Sequence, residues 1–494
     1  MAIGMLPNIQ LDATSEFPLY RQLSESIKTL IASRKLTRGE RLPATRELAG
    51  ILGLNRTTVS AAYALLESEG LIQGHVGRGS FVLGEPEPGR TGLNWEQLLP
   101  PPETATPQAP LSPETISFAN SRPAEELFPI EAFRQTCDEV LAGADASAIL
   151  QLGSPAGYPP LRHYLLDEAR REGVARPSDD LIVTNGCQQA LDLIQKVLVG
   201  PGDLVLVEDP VYSGLKNLFL KAGAQLVGVP AGANGLDVEA LERIATRGRP
   251  RLLVTTPNFQ NPTGGTLTAE ARRAVLRIAR AAGCVLVEND IYGELRYEGE
   301  AAASIKHMDA SGDTVLLRSF SKLTFPGLRV GWVIGPKPLV ARLTEAKQLA
   351  DLHTDQLSQA ALLRFAQSGR IQAHRARVLA AGAERLKAVL AACAAHLPAG
   401  TFYTRPQGGM NLWIRLPEPL DAGELLPRAH RRGVSYLPGR YFEVSRREPG
   451  GLRLCFAGLE PAKIRAGVAI LGELFASELA RARMERDEPA PAVV

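Results

Sequence analysis

A proline-rich segment between Glu85 and Thr115 constrains the chain most strongly, because it is poorly suited to join a packed core. It holds eight prolines, including the run from Pro100 to Pro102, and it lacks the periodic apolar spacing of a helix or strand. Such a segment is typical of a semi-extended linker. The sequence therefore predicts a small module at residues 10–84 and a region of about 380 residues after the linker.

The composition argues against a membrane-spanning protein, a disulfide framework and a metal site. Hydrophobic residues make up 45% of the 494 residues, the net charge is +2, and no apolar run approaches the ~20 residues that span a bilayer. The five cysteines are scattered and show no CxxC spacing, which argues against both a disulfide framework and a metal site. We expect a cytoplasmic, globular protein without a bound metal.

The sequence of the small module predicts three helices followed by a hairpin. Apolar residues at three- and four-residue spacing predict the first helix; they are Leu19, Leu23, Ile27 and Leu30. A second short helix is predicted over 41–49, with Pro43 near its start. Asn55 is suited to cap a third helix over 56–68, and strands at 71–73 and 79–83 flank a tight wing.

The start of the third helix carries residues suited to DNA. Arg56 can fork onto guanine, while the hydroxyls of Thr57 and Thr58 suit phosphates at a helix N-terminus. Between residues 34 and 60 there are six basic and two acidic residues, so positive charge is concentrated on this segment. Charge alone favours a generic three-helix bundle that has a solvated charged face.

Two stretches of this module resemble the GntR-type winged helix-turn-helix. They are LPATRELAGILGLNRTTVSAAYALLESEGLI and GHVGRGSFV, and together they cover about 65 residues. The resemblance implies contacts with double-stranded DNA from residues in the second and third helices and in the wing: Arg46, Arg56, Thr57, Thr58, Arg78 and Gly79.

The large region predicts an α/β fold with a mainly parallel seven-stranded sheet. Short continuous apolar runs alternate with helical stretches, as in sheets covered on both faces. The predicted strands are Leu181–Thr184, Leu204–Val207, Gln225–Val229, Leu252–Thr255, Val285–Val287, Val315–Leu317 and Val330–Ile334. Functional loops of such a sheet gather at one rim, where the following motifs lie.

Lys322 is the strongest candidate for chemistry. It ends the stretch Ser319-Phe320-Ser321-Lys322, and Arg329 follows seven residues later. A lysine held away from water can form a Schiff base, and two serines with an arginine can bind one dianionic phosphate. An isolated lysine after a strand is usually a solvated surface residue, but this surrounding pattern favours a functional one.

Other strand ends supply complementary groups. The turn Gly186-Cys187-Gln188 opens a helix whose N-terminus suits a phosphate. Asn261 can donate to a phenolic oxygen, Tyr212 can stack on a pyridine ring, and Asp290 offers a carboxylate for a ring nitrogen.

Together these motifs resemble the class I/II aminotransferases of fold type I, over roughly 116–476. The resemblance implies a large domain at 116–380, a small α+β domain at 381–480, and pyridoxal 5′-phosphate (PLP) as an internal aldimine on Lys322. It implies that Asn261 and Tyr292 bind the phenolic oxygen, and that Tyr212 stacks on the ring. The phosphate would be held by Ser319, Ser321, Arg329 and the 186–188 turn. A substrate carboxylate would be held by Arg453, with Gly157 and Tyr158 near the entrance.

One position departs from that family. The carboxylate often lies three residues before the tyrosine, where this chain has Asn289, and Asp290 lies two before it. We favour Asp290, because a neutral amide supports a protonated pyridine poorly, and the alternative of Asn289 stays open.

The combination of winged helix, linker and aminotransferase-like domain resembles the MocR/GabR subfamily of bacterial regulators. That resemblance implies a homodimeric, PLP-dependent transcription factor that binds operator DNA and senses an amine, an amino acid or PLP itself. An active aminotransferase with an accessory DNA-binding module is the alternative, because Lys322 and Arg453 are both present. Whether the chain turns over substrates stays open at this point.

Overall fold

The computed structural model describes residues 9, 11, 12, 15, 17–33, 35–75, 79–83, 112 and 114–487. The chain divides into two compact units, residues 1–105 and 106–494. Most of the predicted linker, as well as Arg78 in the predicted wing, lies outside the described residues. Within the described part, no helix combines the length and the apolar character needed to cross a membrane.

The N-terminal unit is a winged helix-turn-helix. Its elements are α1 (Leu19–Ala32), α2 (Thr45–Leu52), α3 (Arg56–Ser68), β1 (Ile72–His75) and β2 (Gly79–Val82). The two strands pair antiparallel. The three helices enclose one apolar core, which includes Leu23, Ile27, Leu48, Val59 and Leu66. The amphipathic spacing of the sequence therefore places these apolar faces inward, as predicted.

The second helix begins later than predicted. It starts at Thr45, two residues after Pro43, rather than at Arg41. The residues before it are held in another way, because Leu42 N donates to Ser80 O at 2.9 Å and Tyr63 Oη donates to Pro43 O at 2.9 Å. These bonds tie the segment to β2 and α3, which competes with a helical conformation.

The second unit contains an eight-stranded sheet. In chain order its strands are β4 (Asp179–Asn185), β5 (Leu204–Asp209), β6 (Gln225–Gly232), β7 (Gly235–Leu236), β8 (Leu252–Thr255), β9 (Val285–Asn289), β10 (Val315–Ser319) and β11 (Val330–Pro336). The spatial order is β4-β11-β10-β9-β8-β5-β6-β7. All seven predicted strands are present, and the two-residue β7 extends the edge. The antiparallel pairs are those that β11 forms with β10 and β4, and that β7 forms with β6; the other neighbours in the sheet pair parallel.

Helices cover both faces of this sheet. They are α4 (Ile130–Leu141), α5 (Ala146–Ile149), α6 (Pro159–Arg171), α7 (Gly186–Leu198), α8 (Ser213–Lys221), α9 (Val238–Gly248), α10 (Ala269–Ala281), α11 (Ile305–Met308), α12 (Lys337–Asp351) and α13 (Gln356–Gln367). Separate apolar cores lie against the sheet, one of them around Ile194, Val207 and Val333 and another around Leu206, Leu253 and Val275. This layered arrangement confirms the predicted α/β class.

A smaller lobe follows, built on a four-stranded antiparallel sheet. Its strands are β12 (Phe402–Tyr403), β13 (Asn411–Arg415), β15 (Leu437–Pro438) and β16 (Gly451–Cys455), in the order β12-β13-β16-β15. Its helices are α14 (Arg370–His396), α15 (Ala422–Arg431) and α16 (Pro461–Asp487).

The two lobes share elements. The boundary predicted between residues 380 and 381 falls inside α14, which is continuous. In addition, β3 (Ile116–Ser117), at the start of the predicted large domain, pairs parallel with β14 (Val434–Ser435) of the small lobe. The chain therefore begins this unit in the small lobe before it enters the large one.

Candidate functional site

A cavity of about 470 Å³ lies where the carboxyl ends of the parallel strands meet the small lobe. The large sheet contributes the ends of β9 and β10, with Asn289 and Ser319, and the loops after β5 and β8, with Tyr212 and Thr256. The small lobe contributes Arg453 from the middle of β16. Groups far apart in the sequence therefore line one cavity.

One end of the cavity is suited to an anion. Ser319 Oγ accepts from Ser321 N at 3.0 Å and lies 2.9 Å from Ser321 Oγ, so the two hydroxyls are held together. Arg329 Nη2 donates to Asn185 O at 3.2 Å, which places its guanidinium at the N-terminus of α7. Gly186, at φ +75°, leaves room for that guanidinium. Hydroxyls, a guanidinium and a helix N-terminus form an arrangement that suits phosphate.

Lys322 extends into the cavity from the turn after β10. Its Nζ donates to the carbonyl oxygen of Ser121 at 2.8 Å and lies 5.6 Å from the centre of the Tyr292 ring. The amine is thus held in place by a neutral carbonyl, without a carboxylate partner among the described residues.

Three predicted residues form a hydrogen-bonded chain across the lobes. Asn261 Nδ2 donates to Tyr292 Oη at 3.4 Å, and Arg453 Nη1 donates to Asn261 Oδ1 at 3.0 Å. Arg453 also donates to Ala119 O, and its guanidinium carbon lies 5.1 Å from the centre of the Phe442 ring. Asn261, on the large lobe, is therefore positioned by an arginine of the small lobe.

Tyr212, the predicted stacking residue, and Cys187 and Gln188, of the predicted helix turn, also line the cavity. Tyr212 is 40% exposed, so part of its ring faces the opening. Burial raises the pKa of the Cys187 thiol to about 12. The thiol is therefore neutral at ordinary pH and does not serve as a thiolate.

Asp290 and Asn289 point to different places. Asn289 lines the cavity, whereas Asp290 accepts from Asn258 Nδ2 at 2.8 Å and pairs with Arg318 Nε at 3.5 Å, outside it. The structure thus does not bring the favoured carboxylate into the cavity. The reason is local: Asn289 is the last residue of β9, and the chain turns away immediately after it.

Gly157 and Tyr158 do not line this cavity either. Tyr158 N donates to Gln359 Oε1 at 2.8 Å, and a Cβ on Gly157 would lie 2.6 Å from Val183 Cβ, so both residues are fixed by packing at the start of α6. The structure instead places at the cavity several residues that the sequence did not single out; they are Ser121, Arg122, Ser213 and Thr256. None of these carries a motif, since their positions depend on how distant loops fold together.

The lining fits PLP. Three buried polar atoms around the cavity have no hydrogen-bond partner among the described residues: Ser121 Oγ, Asn289 Oδ1 and Arg453 Nε. Arg453 is only 4% exposed, and its hydrogen-bond partners in the described part of the chain, Asn261 Oδ1 and Ala119 O, are neutral. Buried polar groups are normally paired, so these atoms indicate a polar ligand, and the buried guanidinium of Arg453 indicates that the ligand carries an anionic group. Ser319, Ser321 and Arg329 would hold its phosphate, and Lys322 its reactive carbon.

The predicted DNA-contacting residues lie on the N-terminal unit. Arg46 and Arg56 are exposed in the first turns of α2 and α3, and Thr57 is exposed beside Arg56. Asn55 Oδ1 accepts from Thr57 N at 3.1 Å, which confirms the predicted cap. Thr58 is half-buried. Gly79, at φ +100°, begins β2 beside Arg41.

A carboxylate behind the cavity gives a testable pH dependence. Glu208 is fully buried and accepts from Thr255 Oγ1 and Thr256 N, both at 2.8 Å, and burial raises its pKa from 4.5 to about 7. Because the folded pKa is the higher one, this group's contribution to stability is complete below pH 4.5 and is lost as the pH rises through 7. Because of this group, the free energy of unfolding should fall by on the order of 3 kcal/mol between about pH 5 and pH 8. We expect Glu208→Gln to abolish that fall.

Urea unfolding midpoints at the two pH values, with saturating PLP, measure this difference. Glu300→Gln, at an exposed position, serves as the control and should leave the pH dependence of the midpoint as it is in the unmodified chain. If Glu208→Gln shows the same decline as this control, the buried carboxyl is not the source.

Comparison with known proteins places both units in families. Residues 119–471 match the family of class I and II aminotransferases, and residues 19–82 match the bacterial regulatory proteins of the gntR family. The chain is 35% identical to aromatic-amino-acid aminotransferase 1 of Thermococcus litoralis, over 74% of this chain and 89% of that protein. It superposes with a TM-score of 0.71 on the crystal structure of LysN, an α-aminoadipate aminotransferase of Thermus thermophilus, at 36% identity and over 75% of this chain and 94% of that one.

A further relative matches both units at once. The chain is 30% identical to the probable rhizopine catabolism regulatory protein MocR of Rhizobium meliloti, over 94% of this chain and 95% of that protein. The two aminotransferases cover about three quarters of this chain, whereas this match extends over nearly all of it. The chain therefore belongs to the MocR-type regulators, in which a gntR-family winged helix is joined to a PLP-dependent class I/II aminotransferase domain.

Proposed function

We propose that this chain is a transcriptional regulator that binds operator DNA through α3 and senses an amino acid or amine at its PLP-binding cavity. The observation that carries the proposal is the presence of both sites on one chain: exposed Arg46 and Arg56 at helix starts, and a cavity around Lys322. A metabolic aminotransferase has no need of the first site. The near full-length likeness to a regulatory protein supports the same conclusion.

When bound, PLP supplies an aldehyde that reacts with amines and a ring that stabilises negative charge on the attached carbon. The residues of the chain orient the ligand around it. Ser319, Ser321 and Arg329 would hold the phosphate, and Asn261 with Tyr292 would donate to the phenolic oxygen. Arg453 would bind a carboxylate of the ligand.

The coupling between ligand and DNA would involve the small lobe. Arg453 lies on β16 of that lobe and donates to Asn261 of the large lobe, so a carboxylate bound by Arg453 changes a contact between them. A ligand that binds one arrangement of the lobes more tightly shifts the population toward it. A coupling of about 1–3 kcal/mol is typical of such systems.

We also propose that the chain acts as a homodimer. Operator half-sites that are related by two-fold symmetry need two winged helices. The second unit carries exposed large apolar side chains between residues 130 and 152, which are Ile130, Leu141, Leu150 and Leu152. Surfaces of this kind are typical of subunit contacts.

Binding to DNA selected from random duplexes by the unmodified chain tests the proposal. We expect Arg56→Ala to weaken binding by roughly 10- to 100-fold, because a guanidinium that forks onto a base contributes about 1–3 kcal/mol. Arg21→Ala, at an exposed position on α1, is the matched control and should change affinity little.

The sensing part of the proposal needs a titration. With PLP bound, a panel of amino acids and amines is added to the protein–DNA complex, and a several-fold change in affinity is expected for the effector. That change should vanish in Lys322→Ala. If no compound alters DNA affinity while several are converted to 2-oxo acids, the chain is chiefly an enzyme.

The second candidate function is transamination. One observation favours it: Lys322, Asn261, Tyr292 and Arg453 all meet in one cavity. Multiple turnovers with an amino acid and a 2-oxo acid acceptor would establish that activity.

A further inference from the structure

The cavity lining carries positive charge without negative charge. Four basic side chains line it, Arg122, Lys322, Arg329 and Arg453, and none of the described lining residues is an aspartate or glutamate. Its remaining titratable groups are Cys187, Tyr212 and Tyr292. The thiol is neutral, and burial also raises the pKa of the Tyr212 hydroxyl. A further positive charge inside this cavity therefore meets no anionic side chain.

Asn289, the last residue of β9, is a residue of the large sheet whose side chain lines the cavity. It is 6% exposed, and its Nδ2 donates to Thr256 Oγ1 at 3.4 Å. Its Oδ1 is buried without a partner among the described residues. Of the three unpartnered atoms around the cavity, it is the one that belongs to a strand of the large sheet. Thr256 Oγ1 can also donate to Oδ1, so a half-turn of the amide keeps the contact with Thr256 and directs Nδ2 at the cavity as a donor for a polar atom of the cofactor ring.

The nearby carboxylates are engaged elsewhere. Asp290 is paired with Arg318 and Asn258 outside the cavity. Glu288 accepts from the backbone N–H groups of Ile305 and Lys306, both at 2.8 Å, at the start of α11. Glu208 likewise accepts from Thr255 and Thr256 behind the lining. Because these carboxylates are held outside the cavity, the side chain at the end of β9 that faces a ligand is the neutral amide of Asn289.

Resting on the proposed function, we propose that Asn289 Nδ2 donates to the pyridine nitrogen of PLP and leaves it unprotonated, so that the cavity binds amino acids but removes their α-proton slowly. An ionised carboxylate beside a basic nitrogen raises its pKa by about 1–3 units, and a neutral amide does not supply that effect. A ring without that proton is a weaker acceptor for the electron pair left when the Cα–H bond breaks.

This arrangement suits a sensor. Arg453, Arg329 and the serines still supply affinity for the ligand and the cofactor phosphate, because their contacts do not depend on the ring nitrogen. The ligand would therefore remain bound instead of leaving as a 2-oxo acid. The time for which the ligand stays bound, rather than the rate of its conversion, would determine the change in DNA affinity.

Two variants at neighbouring positions test the proposal on PLP-loaded protein. With PLP labelled with ¹⁵N in the ring, the nitrogen chemical shift reports protonation directly. We expect an unprotonated nitrogen in the unmodified chain and a protonated one in Asn289→Asp. The single-turnover release of 2-oxo acid, in which the cofactor gains the amino group and one water is consumed, should be roughly tenfold or more faster in Asn289→Asp.

Asp290→Asn is the matched control, since it removes the carboxylate outside the cavity, and it should leave the nitrogen shift unchanged. A protonated nitrogen in the unmodified chain, or an unprotonated one in Asn289→Asp that binds PLP, would overturn the proposal. Should Asn289→Asp not bind PLP, the shift of the unmodified chain and that of Asp290→Asn still decide. DNA binding and its response to ligands are measured on the same samples, so a failure of the regulator proposal is seen separately.

Discussion

Replacing Gly186 with alanine is expected to lower the affinity for PLP by roughly a hundredfold, because the guanidinium that would hold the phosphate is displaced. A Cβ at this position would lie 2.2 Å from Arg329 Nη2 and 2.8 Å from Arg329 Cζ. The far end of an arginine can swing aside, so the fold survives while the anion site is lost. Charge-assisted hydrogen bonds contribute about 1.5–3 kcal/mol each, and two of them account for the expected loss.

A matched glycine separates this effect from backbone strain. Gly186 has φ +75° and Gly202 has φ +83°, so alanine is strained by about 1–2 kcal/mol at either position. At Gly202 a Cβ meets nothing within 4 Å. PLP titrations followed by absorbance, with circular dichroism as a check of folding, compare the two. Equal PLP affinity in Gly186→Ala and Gly202→Ala would show that Arg329 does not hold the phosphate.

Replacing Arg453 with alanine is expected to weaken amino-acid binding by roughly a hundredfold and to leave PLP bound. Arg453 is buried, holds Asn261 at 3.0 Å, and has no anionic partner among the described residues. A ligand carboxylate would supply that partner. Removing the guanidinium therefore leaves the carboxylate buried without a counter-charge, which is strongly unfavourable.

Ligand chemistry provides the control for this prediction. An amine that lacks a carboxylate should bind Arg453→Ala and the unmodified chain with similar affinity. Arg122→Ala, at a lining arginine that pairs with Glu125 at 3.5 Å and is largely exposed, should have a much smaller effect on amino acids. Spectroscopic titrations of the PLP-loaded proteins measure all of these affinities. Equal losses for the amine and the amino acid would point to a distorted cavity instead of a lost carboxylate contact.

The fold could be predicted from the sequence because burial leaves a simple pattern. Strands covered on both faces appear as continuous apolar runs, and all seven of them were recognisable. The direction of β11 was not, since an apolar run reads the same whether a strand is parallel or antiparallel. That direction matters, because it brings Arg329, just before β11, to the same rim as Ser319 at the end of β10.

The lining of the cavity was predictable where a motif marked a strand end, as for Lys322, Asn261 and Arg453. It was not predictable at the end of β9, where one polar residue, Asn289, is the last of the strand and another, Asp290, follows it. Alternation decides which side chains share a face within β9, but it stops applying at Asn289 and Asp290, where the strand ends. The contributions of Ser121 and Arg122 depend on loop packing, for which the sequence offers no pattern.

The cavity is built from segments that meet only in the folded chain, namely the start of α7, the ends of β9 and β10, the residue before β11, and β16 of the small lobe. An unfolded chain has no such site, so every bound PLP molecule favours the folded state. At a concentration a hundred times the dissociation constant, this linkage is worth about 2.7 kcal/mol. The amount of intact regulator in a cell would then follow the supply of vitamin B6, before any effector is sensed.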